Sequence, residues 1–192
     1  MSPILGARGG LSASAYGFTS AVAALVTDYE SIQTVTIGAG GASTVTFSSI
    51  PSTYTHLQIR ASFTTASSGN GALLNFNSDT GANYTQHNLT GNGSLAAAGA
   101  STSLSYAAVS GYSTGSSTTN PTLAITDILD YTNTNKNKTL RTLSGIDNNG
   151  SGEIVLVSNL WLNTAAISTI GIKTVGAVNF NQYSSFALYG IK

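Results

Sequence analysis

Apolar and polar residues alternate with a period of two along most of the chain after Ser31. Over residues 55–63, Leu57, Ile59, Ala61 and Phe63 fall on one side, and His56, Gln58, Arg60 and Ser62 on the other. This pattern marks a half-buried antiparallel strand. Further strands are predicted over 33–37, 43–47, 72–76, 122–129, 138–144, 166–173 and 185–191. The glycine-rich 38–41, between the first two, predicts a hairpin. Residues 153–162 differ, because Ile154, Leu156, Leu160 and Leu162 oppose Val155, Val157 and Trp161. A strand apolar on both sides is covered on both, here by a partner sheet and by a neighbouring subunit. Residues 91–120, rich in Gly and Ser, predict one modest strand at 103–109 among long exposed loops.

No stretch of core length carries a helical period, and no repeat of the solenoid or propeller type stands out. Many short strands with frequent turns predict an all-β fold, an antiparallel β-sandwich of jelly-roll type over residues 31–192. Residues 1–30 are set apart as an extended arm of small residues interrupted by Ile4, Leu5, Leu11 and Tyr16. Its second half, from Phe18, is more apolar and suits a short helix after Thr19 or Ser20. Thirty extended residues reach about 100 Å, enough to cross a neighbouring subunit. The arm is therefore read as an assembly anchor that engages its partners through Pro3, Ile4, Leu5, Leu11, Tyr16 and Phe18.

Composition narrows the function classes. Hydrophobic residues make up 41% and charged residues 7%, against about 25% charged in ordinary domains. Disorder needs the opposite balance. Net charge is zero, so neither nucleic acid nor anionic lipid finds an electrostatic footing. There is no cysteine, which excludes disulfides and thiolate metal sites. No apolar run approaches the roughly 20 residues of a membrane span, and the six-residue run 21–26 falls short of a signal-peptide core.

Candidate chemistry is sparse. Asp147-Asn148-Asn149-Gly150-Ser151-Gly152 imitates the start of a calcium loop, but the twelfth position is Ser158 where a bidentate glutamate is required. A hairpin turn explains the same residues. Asp127 and Asp130, three apart on a strand, point to opposite faces and do not form a carboxylate pair; an ion pair of Asp127 with Arg60 is expected instead. His56 and His87 lack partners at catalytic spacing. No enzyme centre, metal or cofactor is expected. Tyr84, Tyr112 and Tyr131, if exposed, are candidates for stacking on sugars, against the ordinary role of such rings in cores and interfaces.

Three segments carry a resemblance. Phe47, Ile50-Pro51 and 54–60 (Tyr-Thr-His-Leu-Gln-Ile-Arg) form the first, and Asp127-Ile128-Leu129-Asp130-Tyr131 with Asn133 and 135–139 the second. The close at 186–191 (Phe-Ala-Leu-Tyr-Gly-Ile) is the third. Together, over about 45–192, they resemble virion proteins of tailed phages, especially marine and cyanobacterial ones. The resemblance implies a non-enzymatic subunit of the virion, a tail fibre or capsid decoration, commonly a homotrimer bound to other virion proteins. It carries over no catalytic or binding residues. A host-recognition module that binds surface glycans is the alternative, and a polysaccharide depolymerase a more distant one.

Overall fold

A computed structural model describes residues 28–110 and 119–192. These form twelve strands and no helix. The strands are β1 (Tyr29–Thr36), β2 (Thr44–Phe47), β3 (His56–Phe63), β4 (Ala72–Phe76), β5 (Tyr84–Gly91) and β6 (Ala96–Leu104). They continue with β7 (Ala107–Ala108), β8 (Thr122–Ile128), β9 (Lys138–Asp147), β10 (Gly152–Trp161), β11 (Ile170–Thr174) and β12 (Ser185–Ile191). Two antiparallel sheets result: one of eight strands, ordered β1-β12-β3-β8-β9-β10-β5-β6, and one of four, β2-β11-β4-β7. The described residues are all-β; the short helix expected after Thr19 or Ser20 lies outside them. The anchor residues Pro3, Ile4, Leu5, Leu11, Tyr16 and Phe18 lie outside the described residues, and Tyr29 and Glu30, assigned to the arm by sequence, belong to β1.

One buried cluster draws on both sheets. Leu57, Ile59, Phe63, Phe186 and Leu188 come from the larger, and Val45, Phe47, Leu74, Phe76, Ile170 and Ile172 from the smaller. The alternation read in β3 is the observed one: Leu57, Ile59, Ala61 and Phe63 are buried and Arg60 is exposed. Phe63, Phe180 and Phe186 pack ring on ring at one end, with centroids 4.8–5.9 Å apart. Trp161, Tyr84 and Phe76 do so at the other.

Two sequence expectations need correction. The glycines at 38–41 do not close a hairpin: β1 pairs with β12 and β2 with β11, so the chain crosses there from one sheet to the other. The corner is pinned by an antiparallel bridge between Ala42 and Phe180. A Cβ on Gly41 would lie 2.6 Å from the Phe180 carbonyl oxygen, so the glycine serves close approach as well as its left-handed φ of 72°. The same residues that permit a tight hairpin permit this corner. Second, the stretch from 91 to 120, expected to be loop with one strand at 103–109, carries β6 (Ala96–Leu104), paired with β5, and only the two-residue β7 at Ala107–Ala108. Apart from Tyr84, Leu89 and Leu104 the residues of β5 and β6 are polar or small, too few large apolar positions to read an alternation.

Candidate functional site

The outer face of the larger sheet inverts the usual pattern of small-out, large-in. Along β8 as far as Thr126 and along the middle of β9, Thr122, Ala124, Thr126, Thr142 and Ser144 turn to the interior, while Leu123, Ile125 and Leu143 point out. The interior is shallow there because β7 runs close beneath. The Asn159 amide grips the Ala108 backbone twice, accepting its N–H at 3.0 Å and donating to its carbonyl at 3.2 Å. The Thr126 and Thr142 hydroxyls meet at 2.8 Å. Over β7 the inward positions hold small or hydroxyl side chains, and the large aliphatic groups of this stretch stand on the other side, while Ile128 and Leu140 further along the same strands enter the core.

Cross-strand register assembles them into a stripe. Leu89 of β5 faces Leu156 of β10, which faces Leu143 of β9, which faces Ile125 of β8. The neighbouring row is Gly91, Ile154, Gly145 and Leu123. Directly facing side chains in such a ladder have Cβ atoms about 5 Å apart, so the row is continuous. These six Leu and Ile residues are 42–59% exposed, an apolar area on the order of 500 Å², at the upper end of what a soluble monomer shows. Gly145 keeps a trough open between Leu123 and Ile154, since a Cβ there would press on the Glu153 carbonyl at 3.0 Å. The resulting groove, about 500 Å³, is also lined by Ile125 and Leu143. A second groove, about 360 Å³, lies across β8 over Arg60, Ala187 and Tyr189. The second face of β10, expected to be covered, is thus open on this chain.

A polar cluster adjoins the stripe. Tyr29 and Tyr189 stack with centroids 4.7 Å apart, and the Arg60 guanidinium lies 5.4 and 5.6 Å from them. The expected Arg60–Asp127 ion pair is replaced by Gln58 between the two. Its carbonyl accepts from Arg60 Nε at 3.0 Å and from the Tyr29 hydroxyl at 2.8 Å. Its amide donates to Asp127 Oδ1 at 2.7 Å. An amide can accept and donate at once, so Gln58 links the cation and the anion on neighbouring strands. Asp130 is turned onto the following loop, bound to Lys136.

Two of the three tyrosines proposed for sugar stacking cannot serve. Tyr84 is fully buried, its hydroxyl accepting from Phe76 N–H at 3.0 Å, and burial raises its pKa far above the ordinary phenol. Tyr131 is fully buried and donates to the Pro51 carbonyl. Tyr112 lies outside the described residues. The exposed rings are elsewhere: Tyr183, 80% exposed on a turn, and Tyr29.

Residues 147–152 form the β9–β10 turn, as read. Asp147 Oδ1 accepts Asn149 N–H at 2.8 Å, and Asn149 and Gly150 take left-handed backbone. Among the described residues no three His, Cys, Asp or Glu side chains come together as a metal-binding set. Beside this turn Glu153 is partly buried with no partner for Oε1, and burial pushes its carboxyl above the ordinary range. The folded state then holds the proton to higher pH than the unfolded state. The cost of burying the charge is complete above the folded pKa and vanishes as pH falls through it to the unfolded value. Glu153→Gln is expected to raise the melting temperature at neutral pH and leave it unchanged below the unfolded carboxylate range. An equal change at both pH values would contradict this.

Compared with protein-family models, curated proteins and solved structures, the chain matches none. Fold and face define a two-sheet antiparallel β protein with an uncovered apolar stripe.

Proposed function

We propose that this chain is a non-enzymatic structural subunit of an assembled particle, a phage virion, in which the stripe on β8, β9, β10 and β5 is covered by neighbouring proteins. The exposed stripe carries the reading. Apolar residues of this size are selected outward where a second burial awaits them, and scattered exposure would not produce a row in cross-strand register. The uncharged, Ser- and Thr-rich remainder suits a subunit whose solubility is judged in the assembly, and the resemblance to tailed-phage virion proteins points the same way.

Strand order supports a jelly-roll sandwich beneath this face. With β5, β6, β9 and β10 set aside, the remaining strands run β1-β12-β3-β8 and β2-β11-β4-β7. Successive strands then alternate between sheets, except that β4 and β7 pair within the smaller one, and the first pairs with the last, the wrapped order of a jelly roll. That architecture recurs in viral capsid and lectin domains, a support by analogy only. The β5–β6 and β9–β10 hairpins widen one sheet, and three of the four strands of the stripe belong to them.

Mass spectrometry of purified particles of the phage that encodes the chain tests the proposal. The chain is expected there at a stoichiometry set by particle symmetry. Its presence in the lysate but not in particles would overturn the reading.

A glycan-binding module is the second reading, favoured by one cluster: the stacked Tyr29 and Tyr189 with Arg60, Gln58 and Asp127 offers an aromatic surface rimmed by hydrogen-bonding groups. Binding on an array of host polysaccharides that Tyr189→Ala abolishes would favour it.

A further inference from the structure

The larger sheet ends on two unlike edges. An edge strand presents unpaired N–H and C=O groups to any extended chain, and folded proteins guard such edges with charge, proline or bulges. The β1 edge is guarded. Glu30 lies in it, bound to Lys192 Nζ at 2.8 Å and to the Tyr54 hydroxyl at 2.9 Å, and its register slips between Ser31 and Gln33. The β6 edge is not. Its sequence is AAAGASTSL, nearly all exposed. Pairing with β5 is regular from Gly91↔Ala96 to Gln86↔Ser101, and the irregularity comes only afterwards, near Ser103 with a φ of 55°. No Asp, Glu, Lys or Arg occurs between Asp79 and Asp127.

We infer that the β6 edge pairs antiparallel with β6 of a second copy of this chain about a two-fold axis, joining the two larger sheets into one. The sequence is suited to meeting itself. A two-fold perpendicular to the sheet makes facing residues point to the same side, so their numbers differ by an even count. Centred on Ala98, the register sets Ala97 against Gly99 and Ala96 against Ala100. Only small side chains meet, and the backbones reach ladder spacing, about 4.8 Å, with nothing to displace. Without charge on either strand no repulsion opposes the approach. A second copy is preferred over a foreign strand because this register also joins the stripes. Ala98 pairs with Leu89, so the row Ile125–Leu143–Leu156–Leu89 of one copy runs through Ala98 into the same row of the other. The inference stands on the strand edge, whereas the proposed function stands on the sheet face, so either can fail alone.

The full chain has no cysteine, so Ala98→Cys introduces a single thiol beside the axis. Cα atoms facing across an antiparallel pair are about 4.5–5.5 Å apart, within disulfide reach. Mild oxidation is expected to convert most of this variant to a disulfide dimer, while Thr34→Cys on the β1 edge remains uncrosslinked. Ala98→Lys sets two like charges face to face. In sedimentation velocity it is expected to turn a wild-type dimer into a monomer with an unchanged circular dichroism spectrum. A wild-type chain that stays monomeric at every concentration, or Ala98→Cys crosslinking no faster than Thr34→Cys, would overturn the inference. Should Ala98→Lys fail to fold, the crosslinking pair decides.

Discussion

Trp161→Ala is expected to lower the free energy of unfolding by about 3–5 kcal/mol, the usual cost of emptying a buried tryptophan site. The indole is 1% exposed, with its ring centroid 5.3 Å from that of Phe76 and 6.3 Å from that of Tyr84. It joins β10, β5 and β4 at one end of the core. It also donates its N–H to Asp79 Oδ2 at 2.7 Å. Asp79 organises the turn before β5, accepting the Gly81 N–H at 2.9 Å and the Asn83 amide at 3.0 Å. Burial raises the Asp79 carboxyl, but the hydrogen bonds from Trp161, Asn83 and Gly81 together outweigh it and hold the group below the ordinary range. A depressed carboxyl contributes stability above its unfolded pKa and loses it as pH falls through the folded one. Trp161→Phe keeps most of the packing and removes the N–H. It is therefore expected to lose less at neutral pH and to show a weaker acid dependence than the wild type. Urea unfolding followed by circular dichroism at two pH values measures both. A loss below about 1 kcal/mol for Trp161→Ala, the scale of a surface substitution, would contradict this account of the core.

The second large effect belongs to Lys138. Its side chain is buried at the start of β9, yet among the described residues its ammonium meets no carboxylate. It donates instead to the carbonyls of Asn133 at 2.5 Å, Lys136 at 3.1 Å and Thr164 at 2.9 Å. All three donors are used, and two loops are tied to one atom. Burial, and then the charge of Lys136, lowers its pKa from the ordinary ammonium value. Lys138→Met keeps the length and apolar stem but leaves these carbonyls without their donor. A loss on the order of 3 kcal/mol is expected, as when one partner of a buried charged contact is removed. Limited proteolysis is expected to cut first within residues 130–137. A variant as stable and as resistant as the wild type would show that water replaces the ammonium at no cost.

Where one face of a strand was apolar and the other polar, the sequence could be read directly. β3 is placed within a residue, and the 147–152 turn follows from residues that tolerate left-handed backbone. Strands β5 and β6 were illegible because their pairing is satisfied by backbone alone, with Thr, Asn, Gly and Ala side chains that favour neither face. The corner at 38–41 was misread because glycine chemistry does not distinguish a hairpin from a crossover; only the partner strands, β12 and β11 far along the chain, decide it. The apolar character of both faces of β10 was visible, and with it the idea that something outside the chain covers one of them. Its continuation through Leu143, Ile125 and Leu89 was not, because register between strands is a property of the folded sheet. Tyr84 and Tyr131, two of the tyrosines proposed for sugar stacking, failed for a related reason. A tyrosine in a β-rich sequence has the same appearance whether its ring closes a core or faces water.

The account centres on the stripe, and a paired substitution addresses it most directly. Leu143→Ser with Leu156→Ser removes two facing members of the row at positions about half exposed in the free chain. The measurement is the amount of this double variant in particles produced alongside the wild-type chain, with thermal melting of the purified variant as the control for folding. The account predicts a melting temperature close to the wild type and near-complete loss from particles. A well-folded variant that enters particles as readily as the wild type would contradict it.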